Sequence, residues 1–135
     1  MRTLLSILFG AVLFLYSCGS HSANNTTYEQ KKSSLQQQEK NDPADFLTVT
    51  IEYHVNLVGQ WVVSGSIHNK STLTSYTNIT VRLSYLNKAG TVIAKEDRAF
   101  DDTIQPNSSI TFKSKSRAPK ETYSVSAKIV SADTK

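Results

Sequence analysis

From Leu47 onward the chain alternates. Leu47, Val49, Ile51, Tyr53, Val55 and Leu57 are apolar, while Thr48, Thr50, Glu52, His54 and Asn56 between them are polar. Six apolar positions at period two predict a strand with one face in a core. Trp61, Val63, Gly65 and Ile67 resume the alternation after Val58-Gly59-Gln60. With those three residues as a hairpin loop, Leu57 pairs with Trp61, Val55 with Val63, Tyr53 with Gly65 and Ile51 with Ile67. Tyr53 would then cover the glycine, a cross-strand arrangement that stabilises a bare backbone. A slip of one residue would bury Ser64 and Ser66 instead, so the pattern specifies the register.

The same signal recurs downstream. Ile79, Val81, Leu83 and Tyr85 alternate with Thr80, Arg82 and Ser84, and Asn87-Lys88-Ala89-Gly90 supplies a turn with a residue suited to positive φ. Thr91 to Phe100 predicts a weaker strand, and Gln105-Pro106-Asn107-Ser108 a turn. Ile110 and Phe112 carry a fifth strand, Ala118-Pro119-Lys120 interrupts it, and Tyr123, Val125, Ala127 and Ile129 carry the last. Short strands with turns about every ten residues predict an all-β antiparallel β-sandwich of about six or seven strands. Residues 46–135 are enough chain to build that core without disulfides.

The N-terminal third follows a different pattern. Met1-Arg2-Thr3 precedes an apolar run from Leu4 to Tyr16 broken only by small residues and Ser6. One basic residue before a short apolar stretch is the layout of an export signal, and the run falls short of the roughly 20 residues a membrane-spanning helix needs. Residues 1–17 are therefore expected to be a cleaved signal peptide. Residues 19–45 are polar, with Tyr28 and Leu35 the only large apolar side chains. Such a stretch buries too little surface to offset its ordering entropy, so 18–45 is expected to be a disordered tether reaching about 25 to 30 Å. Its central part could form a transient helix, which would have no apolar stripe with which to dock.

Two resemblances extend this reading. Leu15-Tyr16-Ser17-Cys18, at the end of the apolar run, resembles the lipobox of bacterial lipoproteins. The resemblance implies lipidation of Cys18, with palmitate among its acyl chains, and hence a partner in the membrane. Cys18 is the only cysteine, and an exported lone thiol is open to oxidation unless it is capped. The second resemblance covers roughly residues 60–131. Gly65, Ile67 and Asn69, then Leu83, Tyr85, Leu86, Asn87 and Gly90, then Ile104, Pro106, Asn107 and Phe112 resemble the motifs of FxLYD-type immunoglobulin-like domains of bacterial envelope proteins. Asn107 stands where that family usually has glycine, and asparagine also tolerates the left-handed conformation. The resemblance implies an immunoglobulin-like sandwich in an extracytoplasmic accessory or adhesion-like module, and no defined chemistry. Together they predict a noncatalytic binding or scaffolding lipoprotein of the bacterial cell envelope, on the periplasmic face of the outer membrane in a Gram-negative cell. Its partner would be an envelope protein or glycan. A secreted or surface adhesin or glycan binder is one alternative, and a small periplasmic enzyme another.

Charge adds little to that picture. Removing residues 1–17 leaves 14 basic and 11 acidic side chains, far from the dense basic field of a nucleic-acid binder. No nucleic acid and no cofactor is expected. His54 and His68 share the polar face of the first hairpin but lie several residues apart along it, too far for one zinc ion, and no metal is expected. Glu96, Asp97, Asp101 and Asp102 match no calcium loop and are interleaved with Lys95 and Arg98. No nucleophile–base pair or phosphate loop is present, so no catalytic residue is assigned. Lys113, Lys115 and Arg117 alternate on one strand with Lys120 nearby; they suit either anionic headgroups and acidic glycans or the protection of a sheet edge. The longest loop, Lys70 to Asn78, offers Leu73 and Tyr76 as contacts, or Tyr76 as a cap on the core.

Overall fold

The computed structural model describes residues 23–135, so the signal peptide and the Leu15-Tyr16-Ser17-Cys18 motif lie outside the described residues. Eight elements follow: α1 (Ala23–Asn41), α2 (Pro43–Phe46), β1 (Leu47–Val55), β2 (Trp61–Asn69), β3 (Tyr76–Leu86), β4 (Val92–Phe100), β5 (Ser109–Ser116) and β6 (Ser124–Thr134). The strands form two three-stranded antiparallel sheets in the orders β1-β2-β5 and β4-β3-β6. That is the order in which immunoglobulin-type sandwiches arrange A-B-E and C′-C-F. The expected all-β sandwich is thus the fold, with six strands.

Alternation explains each sheet's inner face. Ile67, Ile79, Val81, Leu83 and Ile104 are fully buried between the sheets, and the Phe100 and Phe112 rings meet with centroids 4.9 Å apart. Chain direction sorts the connections into two ends. The β1–β2, β3–β4 and β5–β6 loops lie at one end, where the Tyr123 amide donates to the Leu86 carbonyl at 2.7 Å. The helices, the β2–β3 and β4–β5 loops and the end of β6 lie at the other.

The first hairpin differs from expectation in register. Val55 pairs with Trp61, Tyr53 with Val63, Ile51 with Gly65 and Val49 with Ile67. The loop is five residues, Asn56 to Gln60, because the Asn56 side-chain oxygen accepts from the amides of Val58 and Gln60, and Gly59 takes φ +76°. Asn87 does the same for Ala89 and Thr91, with Gly90 at φ +79°. The residue over Gly65 is therefore Ile51, not Tyr53; Tyr53 packs on the Trp61 ring at 5.7 Å.

The expected disordered tether is also corrected. Residues 23–41 are helical, and α2 leads directly into β1. No apolar stripe holds α1. One carboxylate does: Glu39, only 1% exposed, accepts from the Thr72 amide at 2.8 Å, the Leu73 amide at 3.1 Å and the Thr72 hydroxyl at 3.1 Å. The Tyr76 hydroxyl donates to the Glu39 carbonyl at 2.6 Å. Backbone donors of a bent loop are thus satisfied by a side chain from the helix.

Candidate functional site

The two sheets part along the β4 and β5 edges, and the opening there is a cleft of about 450 Å³. Its depth is set by the strand parities. Positions 94, 96, 98 and 100 of β4 lie opposite the inward residues Tyr85, Leu83, Val81 and Ile79 of β3, so Glu96 and Arg98 face the space between the sheets. From β5, Ser116 lies on the inward parity of Phe112. The Tyr85 hydroxyl donates to Glu96 at 3.0 Å and meets the Ser116 hydroxyl in a short hydrogen bond. Glu96 in turn accepts from Arg98 at 2.5 Å. Burial pushes the Tyr85 phenol above its ordinary value, and the adjacent Glu96 charge adds to that, so Tyr85 stays a donor.

Lys95, Lys115 and Arg117 rim this cleft with Ala118 and Pro119. Lys113 and Lys115 stand on the outer face of β5, opposite Ser64 and Val62, and β5 is an edge of its sheet. Arg117 and Lys120 follow in the β5–β6 loop. All four are exposed, and none makes a hydrogen bond or ion pair among the described residues. On its other face β4 is neutralised: Asp97 and Arg82 form a two-bond ion pair, both contacts at 2.7 Å, which holds the Asp97 carboxyl below the usual carboxylate range. Lys95 shares that face with Asp97, so Lys115 and Arg117 are the rim cations with only Glu96 within the cleft to oppose them.

The remaining candidates separate. Tyr76 is fully buried and caps the core, where burial and then the Glu39 charge push its phenol up to about 12. Leu73 is half-buried and borders a groove of about 410 Å³ shared with Tyr28 and Leu35 of α1. His54 lies opposite Val62 and His68 opposite Thr48, about 20 Å apart at the usual rise, and His68 contacts the Ser109 hydroxyl at 2.9 Å. No group of metal-ligating side chains occurs among the described residues.

Sequence reasoning missed the inward turn of Glu96 and Arg98. A signal existed, since "KEDR" puts charges on both parities of one strand. That pattern belongs to an edge whose inner face opens to water, and inward charges also deter edge-to-edge pairing.

No family model matches the chain, and no curated protein matches it. Among solved structures, it is similar to the X-ray structure of Northeast Structural Genomics Consortium target SoR45. The match has 13% identity and a TM-score of 0.42, covering 67% of this chain and 86% of that one. A likeness that distant carries no function across.

Proposed function

We propose that this chain is a membrane-anchored bacterial lipoprotein, lipidated at Cys18, whose sandwich is a noncatalytic binding or scaffolding module of the cell envelope. The observation that supports the binding role is the division of labour in the β4–β5 cleft. Tyr85, Glu96, Arg98 and Ser116 are bonded to one another, so the titratable groups hold the edge together. Lys115 and Arg117 on the rim are the groups left to meet something outside. Catalysis needs a nucleophile or base directed at a substrate, whereas recognition of an acidic surface needs only unpaired charge at an accessible edge. The lipobox resemblance supports the anchor, and the FxLYD-type resemblance supports an extracytoplasmic module.

The test is incorporation of labelled palmitate, with intact mass, for the wild type and Cys18→Ser in a bacterial host. Label that depends on Cys18, with a mature chain beginning there, is the expected result. An unlabelled, soluble wild type overturns the anchor.

A further inference from the structure

The loop end of the sandwich, opposite the helices, bears a surface that the fold does not require. Leu57 and Val58 form the tip of the β1–β2 loop and are 107% and 78% exposed; Tyr123, in the β5–β6 loop, is 64% exposed. The loop's geometry comes from Asn56 and Gly59. The β3–β4 loop has the same Asn-x-x-Gly construction and carries Lys88 and Ala89 at the two corresponding positions. The turn therefore does not dictate the side chains at 57 and 58, and leaving them in water is unfavourable. Six of the nine exposed large apolar side chains among the described residues belong to this end of the strands or its loops, so they form a concentration rather than the usual scatter.

Charge says what the surface meets. Lys88, Lys115, Arg117 and Lys120 surround this end, with Glu121 the one acidic residue in its three loops. The helix end is mixed, with Asp42, Asp45, Asp101, Asp102 and Asp133 standing among Lys40, Lys70 and Lys135. Apolar side chains on convex tips amid cations match an anionic bilayer, whose headgroup boundary accepts the former and whose phosphates attract the latter. A protein ligand would instead be expected to use a packed, concave or flat patch, and Leu57 is more exposed than its reference state.

We propose that the loop end docks on an anionic lipid surface, with Leu57 and Val58 entering the headgroup boundary and Lys88, Arg117 and Lys120 contacting lipid phosphates. This names a ligand for the binding module and does not require Cys18 to be lipidated. The probe is an environment-sensitive dye on Val58→Cys in the full-length Cys18→Ser chain, so the tip reports on itself whatever else holds the chain to a vesicle. Phosphatidylcholine vesicles containing phosphatidylglycerol should brighten the dye and shift its emission to the blue, an effect that salt reduces. Lys88→Gln and Lys120→Gln should each weaken it about fivefold. Leu57→Asp should abolish it with the circular dichroism unchanged, since Asn56 and Gly59 remain. Water-like emission on anionic vesicles that carry the chain down on sedimentation overturns the proposal. So does an equal shift on pure phosphatidylcholine. A shift of the same size with soluble polyglutamate would indicate an acidic macromolecule instead, and a concentration-dependent shift without vesicles a second copy; either also overturns it.

Discussion

Replacing Glu39 by glutamine tests whether one carboxylate holds α1 on the sandwich. The carboxylate accepts two backbone N–H groups and one hydroxyl from Thr72 and Leu73. Hydrogen bonds to a charged acceptor contribute about 1.5 to 3 kcal/mol each when buried, and they are not additive. Thr72 is exposed, so water replaces part of what is lost there. The glutamine amide can still accept from one amide, but its NH2 then faces the other N–H. The expected loss is about 2 kcal/mol of docking free energy. Hydrogen exchange across α1 and at Thr72 and Leu73 should quicken, while the core amides of β2 and β3 keep their protection. The urea midpoint should fall, by no more than the docking contributes. Tyr76→Phe, which removes the donor to the Glu39 carbonyl, should produce the same pattern at about 1 kcal/mol. The pH dependence has a definite sign. Burial pushes the Glu39 carboxyl up, but the hydrogen bonds from Thr72 and Leu73 outweigh it and the net shift is downward. Docking is therefore strongest above the ordinary glutamate pKa and is lost as pH falls through the lowered one. Glu39→Gln should remove that dependence. Unchanged exchange of α1 in Glu39→Gln, at any pH, would refute the latch.

Two further substitutions probe the sandwich itself. Gly65→Ala would put a Cβ 2.3 Å from the Thr50 carbonyl oxygen and 2.9 Å from the Phe112 ring, so the β1–β2 pairing must open. A loss of about 3 kcal/mol is expected from denaturant titration, and a loss below about 1 kcal/mol would show that the strands yield easily. Asn69 is fully buried, donating to the carbonyls of Thr74 and Ile104 and accepting from the Ser71 amide. Asn69→Ala leaves all three without that partner and should cost about 3 kcal/mol, read as the shift in urea midpoint at constant m-value.

How much of this was legible in the sequence depends on which residues carried each feature. The strands were legible because period two records burial directly, and Ile79 to Tyr85 is as clear in the chain as in the sheet. The first hairpin shows what that signal leaves open. Its true register lies two residues from the expected one, so every side chain kept its face while every partner changed. Parity fixes the face, but the loop fixes the partner. Here the loop is set by the Asn56 side chain, whose spacing to Gly59 repeats that of Asn87 to Gly90. Asn107 was legible for the reason given for it, since it takes φ +55° in the turn before β5. The helix was not, because amphipathic patterning detects helices that dock through many apolar contacts, and α1 docks through Glu39 and a few neighbours. A single glutamate in a polar stretch has no periodicity to read. Of the cation row, Lys113 and Lys115 were legible as residues on one strand, while Arg117 falls just past its end in the loop, and the setting of the row was not legible. That required the parity of β4, which turns Glu96 and Arg98 inward to face β5 across an open edge. The exposed Leu57 followed from the same two-residue error: read as the last core position of β1, it stands instead at the tip of a loop. An apolar residue that burial predicts inside and turn chemistry puts outside marks a surface to be explained by something beyond the fold.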